Sequence, residues 1–444
     1  MNPSAVQVSA VAGALAALVA LVAYPRVASG PSGAGCAPGA PLVVVGGKDP
    51  IGVRQALVGE WAGRRGLRAR FRHLPLNSDM EHSELVSTAR SGGCDGDVYI
   101  LDTPWTPEFA RAGYIRPLDD LPQAGLRPII PDLLRTGRYR GRLWTVPLNT
   151  DAPLLIYRTD LVRRVPATQA ELREQARAVM GPGTRLKAGL MLQLDRYEGF
   201  TVDMLELVRD QGGDITVGED GKVAMDRAAV RAALRDLANA MRGERPVISP
   251  ASLEADETAG VTAFKNGEVA FLRDWPAFYT LLLNSGSEAA KHLDAVPYPG
   301  ERVLGGQSLA LAASLTGERA RAARELVEYL TDRERQRRLF ACGGWAPVRE
   351  DAYQGPRACG SQGAPNEEVV LHAEAPVIRR AVASARPRPS SVYYPEVSRV
   401  LRDRLRDRLR CMTGTADCSA QGGDGQFLDD LEEALGRAAR GRVR

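Results

Sequence analysis

Histidine is scarce in this chain of 444 residues, and the short motifs of several common enzyme classes are missing. Only four histidines occur, and the sequence has no HExxH, no G-x-S-x-G elbow, no P-loop and no clean dinucleotide fingerprint. Catalysis therefore has little support, and no cofactor is predicted. One enzymatic alternative stays open, because Asp102, Asp151 and Glu198 could meet in a cleft as glycosidase carboxylates.

A strong net charge is also missing. The formal charge is +4, from 58 basic and 54 acidic residues, and no basic stripe is interleaved with aromatic residues. This argues against a nucleic-acid-binding protein. The densest basic run, residues 399–410, alternates Arg with Leu and Asp at helical spacing and predicts a solvated amphipathic helix. With 44% hydrophobic residues, a chain of this length is globular and long enough for two domains.

One apolar run, residues 10–24, lies at the amino terminus. It predicts an export signal or an uncleaved membrane anchor within residues 1–36. The protein is then exported, and is either held at the extracellular face of the cell membrane or secreted. Lipidation of Cys36 is a second way to anchor it, although Gly33 stands where a lipid-attachment motif has Leu or a similar apolar residue.

The six cysteines have spacings that fit neither a metal site nor a CxxC motif, so no metal site is predicted. An exported protein can keep disulfides. Cys36 and Cys94 precede two strands that are predicted to be neighbours, and they could bridge with Cα atoms about 4.4–6.8 Å apart. The other candidates would each close a short local loop: Cys342 with Cys359, and Cys411 with Cys418.

Strands and helices alternate from residue 41 onward. The first elements form the βαβαβ start of a doubly wound α/β sheet: strand 42–46, helix 52–66, strand 68–75, helix 81–91 and strand 97–102. A bend at 149–151 between two strand-like runs indicates a crossing into a second lobe, and a Gly-Gly turn opening the strand at 304–312 indicates the return. One continuous helix is predicted over 318–341.

Two strands each deliver an acid and a tryptophan at their carboxyl ends. The strand at 98–101 leads to Asp102 and Trp105, and the strand at 269–272 leads to Asp274 and Trp275. Ligands of open α/β sheets bind outside the carboxyl ends of the strands, so these side chains are predicted to hold a ligand from two sides. Aromatic faces and planar polar groups suit a sugar. The alternative is that Asp102 caps the following helix and Trp105 packs.

These units belong to six stretches that occur in the same order in the family 1 extracellular solute-binding proteins, the sugar-binding components of bacterial ABC importers. The chain resembles this family over most of its length after residue 40, and in particular the branch for disaccharides such as trehalose and maltose. The resemblance implies a two-lobed, periplasmic-binding-protein-like (type II) α/β fold with three hinge crossings. The first lobe would comprise residues 37–149 and 307–345, and the second 150–306 and 346–444.

The resemblance also implies a non-enzymatic monomer that captures a mono- or oligosaccharide by hinge closure and delivers it to an ABC permease. A membrane-anchored solute sensor with the same fold is the alternative. The ligand contacts that the resemblance suggests are Lys48 and Asp49 after the first strand, Asn77 and Asp79 after the second, Asp102 and Trp105 after the third, Asn149 and Asp151 at the first crossing, Tyr197, Glu198 and Trp275 in the second lobe, Gly306 and Trp345 at the other crossings, and Arg386 in the RPRPSS stretch.

Overall fold

The computed structural model describes residues 36–37, 39–218, 220–354, 371–417 and 422–442. Its strands are, in chain order, β1 Leu42–Gly47, β2 Ala69–Leu74, β3 Val98–Asp102, β4 Arg138–Tyr139, β5 Arg142–Leu143, β6 Val146–Asp151, β7 Leu154–Arg158, β8 Ala188–Met191, β9 Ile215–Val217, β10 Val223–Met225, β11 Val269–Asp274, β12 Leu293–Pro297, β13 Val303–Leu311 and β14 Arg386–Pro387.

The α-helices of the described ranges are α1 Val53–Arg64, α2 Ser78–Ser91, α3 Thr106–Arg111, α4 Gln123–Leu126, α5 Pro131–Thr136, α6 Gln169–Ala178, α7 Glu198–Asp210, α8 Arg227–Ala240, α9 Glu257–Lys265, α10 Pro276–Leu283, α11 Gly317–Leu330, α12 Arg333–Gly343, α13 Leu371–Ser384, α14 Tyr394–Met412 and α15 Asp424–Ala438.

The first sheet has the strand order β2-β1-β3-β13, and β6 and β14 also pair with β13. β1 is parallel to β2 and β3, whereas β13 is antiparallel to β3 and β6. The apolar runs in β1 and β3 are covered on both faces, as central parallel strands are, and Val44 and Ile100 are at most 1% exposed. The predicted βαβαβ start is confirmed.

The second sheet has the strand order β12-β7-β11-β8. β11 is parallel to β8 and antiparallel to β7, and β7 is antiparallel to β12. Helix α9 packs on β11, α6 on β8 and α13 on β12. With its own helices around each sheet, the chain forms two α/β lobes, and the predicted fold class is confirmed.

The chain passes between the sheets from β6 to β7 and again along β13. Gly306, within β13, has φ +126°, and a Cβ there would lie 2.5 Å from the carbonyl oxygen of Asn149. Glycine is required because the two backbones approach too closely for a side chain, at a backbone angle that L-residues avoid. The close backbone approach therefore accounts for Gly306 without a ligand.

Two helix predictions need correction. The helix predicted over 318–341 is two helices, α11 and α12, because Asp332 interrupts the run and caps α12 by accepting a hydrogen bond from the backbone N–H of Arg335 at 2.9 Å. The basic run at 399–410 is indeed helical, as part of α14, but it is not fully solvated. Arg402 and Arg406 are 5% and 6% exposed, because α14 packs on α7, α8 and α15.

Cys36 and Cys94 form a disulfide bond with their Cα atoms 5.5 Å apart, as predicted. A sulfur atom in that bond is not available for lipid attachment, so the structure favours the disulfide over lipidation of Cys36. Cys342 and Cys411 are also disulfide-bonded, but their predicted partners Cys359 and Cys418 lie outside the described residues, as does the apolar run at 10–24. In the described ranges, no helix has the length and apolar character needed to cross a membrane.

The double variant Cys36→Ser/Cys94→Ser should have a free energy of unfolding lower by about 2–4 kcal/mol. The bond ties residues 58 positions apart, and its loss frees the unfolded chain to sample more conformations. Urea denaturation of the double variant beside the natural protein measures the difference. The variant Cys36→Ala/Cys94→Ala, which loses the same bond without adding hydroxyls, is the control, and equal denaturation midpoints for natural protein and double variant would contradict the prediction.

Candidate ligand-binding cleft

A cavity of about 1390 Å³, including its open mouth, lies between the two sheets. Its walls come from the carboxyl ends of β1, β3 and β11, from the start of α7 and from the segments that pass between the lobes. The predicted contact residues that line it are Lys48, Asn77, Asp102, Trp105, Asp151, Tyr197, Glu198, Trp275, Gly306 and Trp345. Residues far apart in sequence are thus brought to one space.

An arginine joins the two lobes inside this cavity. Arg388 donates two hydrogen bonds to Asp102, at 2.6 and 2.8 Å, and a third to Glu198 at 2.9 Å. Asp102 ends β3 of the first sheet, and Glu198 begins α7 against the second. The Arg388 side chain is 5% exposed. Asp102, Arg388 and Glu198 thus form an ion triad that joins the two lobes through charge-assisted hydrogen bonds. Removing one member of such a buried group is strongly destabilising.

Glu198 is held in place by two further hydroxyls. Ser398 donates to its Oε2 at 2.5 Å, and Tyr394 donates to its Oε1. Both hydroxyls come from α14, which packs on α7. Burial raises the pKa of Asp102, and the charge of Arg388 opposes that rise. The ion triad is therefore a rigid polar surface with its carboxylate positions fixed from both lobes.

A second arginine organises the first-lobe wall. Arg54, in α1, donates to Asn149 at 2.7 Å and to Gln307, and its guanidinium lies 3.6 Å from the ring centroid of Trp345. Asn149 in turn donates to Asp151 at 3.0 Å. Cation–π contact and hydrogen bonds together fix the indole and the carboxylate relative to each other.

Two buried carboxyl groups near this wall have pKa values raised well above their usual range. Burial raises the pKa of Asp151 to about 7, and Arg54 only partly offsets this. Burial and the neighbouring charge of Asp102 raise the pKa of Glu81 to about 8, although the backbone N–H of Gly47 donates to it at 2.7 Å. A carboxyl group of this kind donates a hydrogen bond to a ligand oxygen when it is protonated and accepts one when it is ionised.

Trp275 lies against a buried group of charged residues in the second lobe, Arg273, Asp203 and Glu206, which we call the ionic platform. The guanidinium of Arg273 lies 4.1 Å from its ring centroid, and its indole N–H donates to Glu257 at 3.2 Å. Arg273 is itself fully buried and pairs with Asp203 at 3.2 Å and Glu206 at 2.9 Å. The predicted strand end thus carries a tryptophan whose orientation is set by charges behind it.

Four predicted contact residues do not line this cavity. Asp49 is buried beside the first turn of α1, where it accepts a hydrogen bond from the backbone N–H of Arg54 at 2.8 Å. Asn149 does not line the cavity itself but donates a hydrogen bond to Asp151, which does. Asp79 pairs with Arg402 at 2.6 Å beside an adjoining cavity. Arg386 is exposed and pairs with Asp214 and Glu301, whereas Arg388 of the same RPRP stretch lines the cavity.

Arg54 and Glu81 were also missed from the sequence. Both lie in helices where a charged residue is typical of solvent-exposed surface, and no local signal distinguishes them. The sequence did indicate the region of Arg388, because this residue lies in the same RPRP stretch, two residues beyond the predicted Arg386. Among the residues that the structure describes, no group of three or more His, Cys, Asp or Glu side chains is arranged to hold a metal ion.

Comparisons with known proteins agree with this architecture. The family model for bacterial extracellular solute-binding proteins matches residues 70–362. A probable ABC transporter-binding protein of Deinococcus radiodurans is 26% identical over 309 residues, which cover 66% of this chain and 72% of that protein. Maltose-bound MalE3 of T. maritima superposes with a TM-score of 0.76 at 25% identity, covering 89% of this chain and 98% of that one.

The GacH receptor of Streptomyces glaucescens, whose structures are unliganded and with acarbose or a homolog, has the same fold. Its TM-score is 0.73 at 19% identity, covering 90% of this chain and 99% of that one. The matched family model spans parts of both lobes, including the walls of the cavity from Asp102 to Trp345. This chain is therefore a member of the bacterial extracellular solute-binding protein family.

Proposed function

We propose that this protein is the substrate-binding component of an ABC importer and captures a mono- or oligosaccharide, such as the disaccharides maltose or trehalose, between its lobes. Family membership supports an extracellular binding role, and the maltose-bound relative supports the ligand class. The protein acts as a monomer at the outer face of the membrane and passes its ligand to the permease. Its amino-terminal segment serves for export or anchoring.

The observation that carries the proposal is the mixture of unpartnered polar atoms around the cavity. Within the described residues, Arg54 Nε, Arg388 Nε and Trp345 Nε1 are buried donors without a hydrogen-bond partner, and Asp151 Oδ1 is a buried acceptor without one. A hydroxyl group both donates and accepts. A ligand with several hydroxyls therefore matches this set better than a cation, which only donates, or a carboxylate, which only accepts.

Three of the chain's five tryptophans add the apolar half of a sugar site. Trp105, Trp275 and Trp345 all line the cavity. Aromatic rings give large apolar contact to the C–H groups of a pyranose, while the polar groups between them select hydroxyls. Because these rings come from both lobes and a crossing, a bound sugar would contact both lobes at once.

Binding would shift the lobes toward a closed state, since ligand contacts made by both lobes favour closure. We propose lobes of residues 37–149 with 307–345 and of 150–306 with 346–444, with one refinement. The backbone N–H of Ile130 donates to the carbonyl of Val348 at 2.9 Å, and Phe340 contacts Tyr353 at 5.5 Å between ring centroids. Residues 346–353 therefore move with the first lobe.

Maltose or trehalose should raise the unfolding temperature and lower the radius of gyration in solution scattering. Trp345→Ala should weaken sugar affinity at least about tenfold, because it removes one aromatic face, worth roughly 1.5–3 kcal/mol of contact. Trp144→Phe is the matched control, since Trp144 lies outside the cavity wall and should leave affinity unchanged. A screen of sugars and polyols that gives neither a thermal shift nor a change in radius would refute the proposal.

A further inference from the structure

The mouth of the cavity has an apolar rim on the first lobe. Ile51, Leu76 and Met80 are exposed large apolar side chains, at 37%, 50% and 56%. Ile51 and Leu76 lie in the loops after β1 and β2, which leave adjacent parallel strands, and the Lys48 N–H donates a hydrogen bond to the Leu74 carbonyl at 3.1 Å. Ile51 and Leu76 also line the cavity itself.

The second lobe contributes an apolar pair to the same cavity. Phe278 and Leu281 lie one turn apart on α10, are half-buried and line the cavity. Helix α10 is fixed at this place because Gly344 lies against it, so closely that a Cβ would be 2.3 Å from Thr280 Oγ1. A Cβ on the adjoining Gly343 would be 2.6 Å from Val53, two residues after Ile51. The apolar pair of α10 thus lines the same cavity as Ile51 and Leu76.

The cavity lining combines buried charged groups with more exposed aliphatic side chains. Arg388 of the ion triad is 5% exposed, whereas Ile51 and Leu76 are 37% and 50% exposed and Phe278 and Leu281 are half-buried, so these apolar side chains lie nearer the opening. A bare sugar presents hydroxyls on nearly every edge, and aliphatic side chains cannot hydrogen-bond them. Removing an aliphatic wall from water is favourable when an apolar group of the ligand covers it.

We propose that the ligand is a glycoside with an apolar substituent, whose sugar occupies the inner part and whose substituent contacts Ile51, Leu76, Phe278 and Leu281. This inference rests on the proposed function and narrows its ligand class. The occupant is a ligand and not a protein partner, because the apolar side chains line the same cavity as the polar groups and come from both lobes. Closure of the lobes on the substituent would bury it from two sides.

The test compares a sugar with its aryl glycoside by calorimetric titration: maltose with 4-nitrophenyl α-maltoside, and glucose with 4-nitrophenyl α-glucoside. We expect the aryl glycoside to bind on the order of tenfold more tightly, because an aryl ring buries apolar area at the mouth. Leu76→Ser and Leu281→Ser should each reduce the ratio of aryl-glycoside affinity to bare-sugar affinity severalfold, because they remove apolar contact to the substituent. Leu161→Ser is the matched control, since Leu161 is 38% exposed and lies outside the cavity wall.

The outcomes separate this inference from the proposed function. If bare sugars bind and their aryl glycosides bind no better, the inference fails and sugar capture stands. A gain that persists in Leu76→Ser and Leu281→Ser also overturns the inference, because another surface then holds the substituent. If these variants change the molecular mass in solution, the rim is a contact between two copies and the inference is wrong. If nothing binds, the proposed function itself fails.

Discussion

Arg388→Gln is expected to abolish sugar binding and to lower the free energy of unfolding by about 3–5 kcal/mol. The guanidinium is the only cation that contacts both Asp102 and Glu198 among the described ion pairs. Without it, two carboxylates remain buried with no opposite charge, and the two lobes lose their link inside the cavity. Urea denaturation measures the stability, and calorimetric titration with maltose measures the binding.

Arg386→Gln is the matched control, only two residues away. Its side chain is half exposed and pairs with Asp214 and Glu301, where solvent screens the charges. Exposed ion pairs contribute about 0–1 kcal/mol, so this variant should unfold and bind nearly as the natural protein does. Equal effects of the two substitutions would contradict the assignment of Arg388 to the cavity.

The loss of folding stability in Arg388→Gln should depend on pH. Burial already raises the pKa of Asp102 in the folded chain, and removal of the guanidinium raises it further. A carboxyl group whose folded pKa exceeds its unfolded value near 4 is stabilising when protonated, and that contribution is lost as the pH rises through the folded pKa. The difference in free energy of unfolding between the variant and the natural protein should therefore be smallest near pH 5 and largest near pH 8. Urea denaturation at both pH values measures it.

The natural protein should show a smaller trend of the same sign. Burial raises the pKa values of Asp151 and Glu81 to about 7 and about 8, above their unfolded values of about 4, so their contribution to stability falls as the pH rises from about 4 to about 8. A ligand that needs ionised acceptors would bind better at the upper end. Stability and affinity can thus change in opposite directions across neutral pH.

The strands and the polar ends of the strands were predictable, because their signals are local. A run such as Val98 to Leu101 is buried on both faces, and the acid that follows must lie at the edge of the sheet. The interruption at Asp332 was not predicted, since the apolar positions of α11 and α12 continue one helical pattern across it. Only the cap hydrogen bond ends it.

The cations of the cleft were beyond local signals. Arg388 reaches Asp102 from 286 positions away, and its place depends on how β14 pairs with the start of β13. Arg386, within that pair, falls short of the cleft, while Arg388 lies about 7 Å further along the extended chain and reaches it. Arg54 reaches the cleft from α1, which packs on β2, α11 and α12, because its long side chain extends to Asn149 and Gln307. Long side chains placed by tertiary packing have no sequence period to identify them.

Arg273→Leu should also lower the free energy of unfolding by about 3–5 kcal/mol. Arg273 is fully buried and compensates two buried acids, with Glu206 accepting from it at 2.9 Å and Asp203 lying 3.2 Å away. Its loss also removes the cation behind Trp275, so sugar affinity should fall in the same variant. Arg196→Gln is the control, because that side chain is 64% exposed and its pair with Asp403 is screened.

A triple variant separates charge from packing in this platform. Arg273→Leu combined with Asp203→Asn and Glu206→Gln removes all three charges, and it should recover much of the stability lost in Arg273→Leu, because neutral amides cost less to bury than unpaired carboxylates. Affinity for the sugar should stay low, since no cation supports Trp275. Denaturation and titration of the single and triple variants test both statements, and full recovery of binding in the triple variant would show that Arg273 does not position the indole.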